Sequence, residues 1–133
     1  VTPAAPAGCS GTPLPRKLGV RDGTRTLLVG APAGFTLDAP HHRRASGRGG
    51  YEVQVVFCPD VATLRRRWPR AVELSTERGA VWVAWPKKAS GVPTDLDENG
   101  VRDHALPLGW VDVKVCAVEA TWSGLKLVRR LAR

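Results

Sequence analysis

The chain contains no methionine, one tyrosine, two phenylalanines and three cysteines in 133 residues. With so few rings beside five tryptophans, little is left for stacking bases along a nucleic-acid strand. The cysteines, Cys9, Cys58 and Cys116, are widely spaced and form no CxxC pair. That argues against a disulfide scaffold and fits a reducing compartment, hence the cytoplasm. No stretch approaches the roughly 18 consecutive apolar residues of a membrane span, so no membrane partner is expected. The missing methionine extends to the first position, where Val1 reads as a non-standard start or a trimmed end.

Positive charge is abundant. Twenty Lys and Arg face twelve Asp and Glu, giving a formal charge of +8, so anionic partners are to be considered. Most of the excess is arginine, scattered as Arg43, Arg44 and Arg48, then Arg65, Arg66, Arg67 and Arg70, then Lys126, Arg129 and Arg130. Scattered arginine reads as a solvated surface before it reads as a nucleic-acid track. Hydrophobic residues at 43% suffice for the core of one domain.

Val1–Pro15 holds Pro3, Pro6, Pro13 and Pro15 among small residues and reads as a disordered tail, with one folded domain from Arg16 to Arg133. Ala7-Gly8-Cys9 matches a lipoprotein cleavage site only faintly, because no basic start or apolar segment precedes it. Thr24–Val29 reads as the first strand. Gly30–Phe35 follows as a tight turn into a short helix, without the G-x-G-x-x-G spacing of a dinucleotide loop. Pro40–Ser46 reads as a poor second strand with His41 and His42 exposed, a surface pair with no neighbouring ligand to complete a metal site. Tyr51–Cys58 is a strand, and Asp60 caps the helix after it. Leu64 and Trp68 share that helix's buried face, with Arg65, Arg66 and Arg67 towards solvent. Pro69 predicts a break and a second short helix to about Thr76.

Val81–Trp85 is β-branched and aromatic, as a buried strand requires, and Pro86 ends it. The loop beyond carries Lys87, Lys88, Ser90 and Gly91. Thr94 and Asp95 then open a helix to Ala105. Asp95, Asp97, Asn99, Gly100 and Asp103 also match part of a calcium-binding loop, but its terminal position is Leu106 rather than a bidentate glutamate. Trp110–Val118 alternates, with Val111, Val113, Val115 and Ala117 on one face and Asp112, Lys114 and Cys116 on the other, which predicts a strand near an edge. Glu119–Gly124 is a turn, and Leu125–Leu131 the last strand.

This succession predicts an α/β fold, a three-layer Rossmann-like domain whose mostly parallel sheet is closed by an antiparallel C-terminal hairpin. The layout resembles the class I methyltransferase fold. At motif level, Trp82–Asp95, Gly109–Ala117 and Thr121–Leu125 are similar to a family of small bacterial proteins catalogued as domain of unknown function 3052. That resemblance implies no established activity, and it makes Asp95–Ala105 an ordinary helix. The methyltransferase layout implies an acidic residue before the first-strand loop and another after the second strand. Leu27-Leu28-Val29 and Ala45–Gly50 supply neither.

The layout further implies that the Glu119–Gly124 turn lies beside the Lys87–Gly91 loop, at the carboxyl end of the sheet where ligands of open α/β folds bind. Lys87, Lys88, Ser90, Trp122 and Ser123 would then form one patch of cations, hydroxyls and an aromatic plate, suited to a phosphate or nucleotide. The competing reading has both lysines solvated, Ser90 capping a turn, and Trp85 and Trp122 in the core. No nucleophile–base–acid set is visible, and no cofactor is implied. The sequence therefore favours a non-catalytic module that binds an anionic small molecule or a partner protein, with a homodimer allowed. Its alternatives are an atypical S-adenosylmethionine-dependent methyltransferase and, third, a nucleic-acid binder with its arginines on one face.

Overall fold

The structure, a computed structural model, describes residues 11–131. Most of the tail expected over Val1–Pro15, including Cys9, lies outside these residues. Its end does not: Leu14 and Pro15 already belong to helix α1 (Leu14–Leu18), which Gly19 closes in the left-handed conformation. Strands β1 (Thr26–Val29) and β2 (Tyr51–Phe57) follow, then helix α2 (Val61–Leu74) and strand β3 (Ser75–Pro86). A 3-10 turn at Lys88–Ser90 leads to helix α3 (Glu98–Ala105), and strands β4 (Trp110–Ala117) and β5 (Trp122–Arg129) end the fold.

The five strands make one mixed sheet in the order β1-β2-β3-β5-β4. β1, β2 and β3 run parallel, and β5 enters antiparallel between β3 and β4. The mostly parallel sheet closed by an antiparallel hairpin is thus present. Alternation along β3 divides the core. Val81, Val83 and Trp85 pack with Leu64, Trp68 and Ala71 of α2 and Val101 and Ala105 of α3. Trp82 and Ala84 pack with Leu18, Leu28, Phe35 and Phe57. Trp82 is fully buried and its indole N–H donates to Leu18 O at 3.1 Å, tying α1 to the sheet.

Several local expectations are corrected. The helix does not break at Pro69, because Leu64, Trp68, Ala71 and Leu74 are all buried along one continuous seam of α2 while Pro69 lies on the exposed side. The Gly30–Phe35 turn leads into no helix, and the Pro40–Ser46 strand reduces to one parallel bridge between His42 and Leu27.

Thr94 and Asp95 do not open α3. Asp97 caps it, accepting from Gly100 N at 2.8 Å. The two preceding side chains instead reach the start of α2: Thr94 Oγ1 donates to Pro59 O at 2.7 Å, and Asp95 Oδ1 accepts from Val61 N at 2.9 Å.

β4 is the edge strand, as alternation predicts, but it does not keep one parity. Its register against β5 shifts between Asp112 and Lys114, leaving Val113 as the extra residue of a bulge. Asp112 pairs with Leu127 and Lys114 with Lys126, so side chains beyond the bulge change faces. Val113 and Val115 are 56% and 45% exposed instead of forming a buried row with Val111 and Ala117.

Candidate functional site

At the carboxyl end of the sheet the loop after β3 and the turn before β5 are backbone neighbours. Lys87 N donates to Thr121 O at 2.9 Å, and Pro86 and Trp85 pair with Trp122 and Ser123. Trp122 and Ser123 are therefore strand residues of β5 and not part of the turn. The side chains are largely engaged in structure. Ser90 Oγ donates to Lys87 O at 2.6 Å and accepts from Val92 N at 3.2 Å, which fixes the 3-10 turn. Trp122 is half-buried, edge-on to Phe57 with ring centroids 5.2 Å apart. Lys88 is exposed and Lys87 half-buried.

The mouth of the first-strand loop is occupied by an arginine. Arg67, expected in solvent, turns back over the ends of β1 and β2 and donates from Nη1 to Phe57 O at 2.6 Å. A Cβ placed on Gly30 would lie 2.0 Å from that same nitrogen. Beside it, burial pushes the Cys58 thiol up to about 12, with Arg67 opposing the shift. A cation thus covers the first-strand loop.

A second concavity lies at the opposite end of the sheet, where β1 and β2 begin. This cleft of about 570 Å³ is lined by Arg21, Gly23, Thr24, Arg25, Thr26, Pro40, His41, His42 and Arg48. No carboxylate is among these side chains. Its walls follow from local sequence. Asp22-Gly23 turns the chain, with Gly23 at φ 81° and Thr24 N donating to Arg21 O at 3.0 Å, and this sets Arg21 beside β1. The bridge from His42 N to Thr26 O at 2.9 Å lays the histidine pair along the outer side of β1. The Ser46–Gly49 loop folds under Tyr51: Ser46 N donates to Tyr51 Oη at 2.9 Å, and Gly49 lies so close to Leu74 that a Cβ there would be 3.2 Å from its Cα. Arg48 is carried on this loop.

Tyr51 organises the cleft from beneath. It is fully buried, so its hydroxyl proton needs an acceptor. The available one is His42 Nδ1, at 2.5 Å, which leaves the His42 proton on Nε2. His41 takes the other tautomer: Nδ1 lies 2.8 Å from Ala39 O, a carbonyl that only accepts, so Nδ1 bears the proton and Nε2 the lone pair. Neither histidine is the exposed surface residue expected from sequence; both are half-buried.

Arg25 is held still. Its Nε donates to Gly49 O at 2.7 Å, and its guanidinium carbon stands 4.5 Å from the centre of the Tyr51 ring. Nη2 is buried with no hydrogen-bond partner among the described residues. Glu52 accepts from the Arg25 backbone N at 2.9 Å and not from its guanidinium. Among the described residues Arg21, Arg25 and Arg48 form no ion pair. Three uncompensated guanidinium groups around a concave surface attract anions and repel cations.

Other charges serve the fold. Arg129 donates to Val72 O in the last turn of α2 and to Thr76 O and Glu77 O at the start of β3, and it lies 4.8 Å from the Trp110 ring centre. Arg70 pairs with Glu73, and Arg102 with Glu98 and Asp112. Asp112 is held below the usual carboxylate range by its bond from Arg102. His104 is edge-on to Trp68 at 5.5 Å, and burial, assisted by Arg65, keeps its proton affinity low.

Among the described residues no group of three or more His, Cys, Asp and Glu is placed to hold a metal ion. Asp95 and Asp97, the start of the partial calcium-loop match, are engaged at helix N-termini. No helix among them is long and apolar enough to cross a membrane.

The cleft is not legible residue by residue in the sequence, because its lining comes from three separate segments of the chain. The available signal was density: between positions 21 and 48 the chain places Arg21, Arg25, His41, His42, Arg43, Arg44 and Arg48 against only Asp22 and Asp38. Comparison with protein-family models, with curated proteins and with solved structures finds no match to this chain.

Proposed function

We propose that the protein is a non-catalytic α/β module that binds an anionic small molecule, and that the ligand occupies the cleft lined by Arg21, Arg25, Arg48, His41 and His42. The observation that carries this reading is the lining itself, in which Arg21, Arg25 and Arg48 bring three guanidinium groups to one cleft and no carboxylate stands among the lining side chains. Guanidinium groups gathered around a concave surface favour an anion, which they can bind through charge-assisted hydrogen bonds. The patch expected from sequence, Lys87, Lys88, Ser90, Trp122 and Ser123, is the competing location. Its Ser90 hydroxyl and Trp122 ring already have structural partners, which leaves the lysine charges and the Ser123 hydroxyl.

The methyltransferase alternative draws support from the mixed sheet, in which an antiparallel β5 lies between β3 and β4. Arg67 over Gly30 argues against the usual cofactor mode, because it crowds the loop that would receive the cofactor. The nucleic-acid alternative needs its arginines on one open face, whereas Arg67, Arg70 and Arg129 are drawn into separate intramolecular contacts.

Thermal unfolding in the presence of inorganic phosphate, mononucleotides, polyphosphate and S-adenosylhomocysteine tests the assignment. A ligand at a hundred times its dissociation constant stabilises by roughly 2.7 kcal/mol, a shift of several degrees. The expected result is a shift with phosphate compounds that Arg25→Ala abolishes and the Lys87→Ala/Lys88→Ala pair leaves intact. The reverse pattern would move the site to the β3 end, and a shift with S-adenosylhomocysteine alone would favour the methyltransferase.

A further inference from the structure

Resting on that reading, we propose that the cleft selects oxyanions that retain a proton, phosphate above all, over fully deprotonated ones such as sulfate, and that His41 is the selecting residue. The argument is one of donor and acceptor balance. Arg21, Arg25 and Arg48 offer donors only, because guanidinium has no acceptor. His42 adds another, since the Tyr51 hydroxyl occupies Nδ1 and fixes the proton on Nε2. Donors alone do not tell phosphate from sulfate, two tetrahedral anions of nearly equal size.

His41 breaks the uniformity. Ala39 O takes its Nδ1 proton at 2.8 Å, so a neutral His41 presents a lone pair at Nε2 within a lining otherwise rich in donors. His41 is half-buried and belongs to the lining of the cleft. Monohydrogen phosphate meets it with a P–OH donor. Sulfate meets it with a fourth acceptor oxygen, which sets two lone pairs against each other. A site that requires a hydrogen bond discriminates strongly against a ligand unable to make it. Neighbouring residues are consistent with this assignment. The two lining hydroxyls are engaged locally, Thr26 donating to Thr24 O at 3.2 Å and Thr24 Oγ1 accepting from Arg21 N at 3.0 Å, and the Thr26 oxygen is buried with its residue.

The test is calorimetric titration of the full chain with sodium phosphate and, separately, sodium sulfate at pH 8 and equal ionic strength. The expected outcome is phosphate binding at least about tenfold tighter than sulfate, the scale of one unsatisfied polar contact. His41→Phe, which keeps a ring but removes the acceptor, should bring the two affinities together by weakening phosphate. The wild-type ratio is informative whether or not that variant folds. Equal binding of both anions would overturn the selection while leaving the anion site standing. A preference that survives His41→Phe would overturn the role of His41. Binding of neither anion would overturn the selection and the anion-binding assignment together.

Discussion

Asp95 caps a helix to which it does not belong. Its Oδ1 accepts the Val61 N–H at 2.9 Å, while Asp60, the residue adjoining α2, accepts from Thr63 N at 2.8 Å. Two carboxylates thus satisfy separate backbone donors in the first turn of α2, where the helix dipole favours negative charge. The segment before α3 is fastened to α2 by the same contact. Asp95→Ala should lower the melting midpoint by roughly 3–5 °C, the scale of a lost cap. Asp95→Asn, which keeps an acceptor, should recover most of it. Calorimetry of the two variants checks this, and an unchanged midpoint in Asp95→Ala would show that Asp60 alone holds the turn.

Acid should weaken the protein through Asp60 and Asp112. Hydrogen bonds from Thr63 and Arg102 respectively hold these carboxyls below their ordinary value of 3.8. The folded form releases these protons more readily than the unfolded chain, so the stabilisation is complete above the unfolded value and is lost as pH falls through the folded ones. Urea midpoints measured from about pH 5 downwards should fall more steeply for the wild type than for Asp112→Asn. Parallel curves would mean the Arg102–Asp112 contact contributes nothing in solution.

Cys58 should be silent to thiol reagents in the native protein. Its thiol is fully buried and its ionisation is displaced from 9.0 to about 12 by that burial. The native labelling count at pH 8 should be the same in wild type and Cys58→Ala, with a difference of one equivalent emerging in urea. The same displacement makes alkali destabilising. The unfolded chain loses this proton near 9.0 and the folded chain only near 12, so stability declines as pH rises across that interval.

Gly30 and Arg67 should be energetically coupled. Gly30 has φ 69°, where a side chain is strained by about 1–2 kcal/mol, and a Cβ there would also meet Arg67 Nη1 at 2.0 Å. Gly30→Ala should therefore cost more in the wild type than in an Arg67→Ala background, with a coupling of about 0.5–3 kcal/mol in a double-mutant cycle. Strict additivity would place Arg67 away from the loop in solution.

The parts of the fold legible in the sequence are those written in local pattern. Asp60 ahead of an apolar seam announced α2, the run Val81–Trp85 announced the central strand, and the alternation after Trp110 announced an edge. What escaped was decided by partners distant in the chain. Pro69 looks like a break until the buried seam on the other side of α2 is known to continue. Asp95 looks like the start of its own helix until Val61 is found 34 residues away. The cleft depends on Tyr51, which carries no functional signature in sequence, orienting His42 and supporting Arg25 from below. The Lys87 and Trp122 backbones do adjoin, but the side chains of Ser90 and Trp122 there are taken up by Lys87 O and the Phe57 ring.

The bulge at Val113 has a bearing on how copies of this protein meet. A straight outer strand is a template on which another chain can lay its own backbone, and repetition of that step makes a fibre. Here the ladder of β4 is interrupted midway, and on the far side of the sheet the His42 bridge already covers Leu27 of β1. Neither margin offers a long uninterrupted row of amides, so sheet-to-sheet polymerisation is disfavoured at both ends. The exposed Val113 and Val115 can then remain on the surface without seeding a growing assembly.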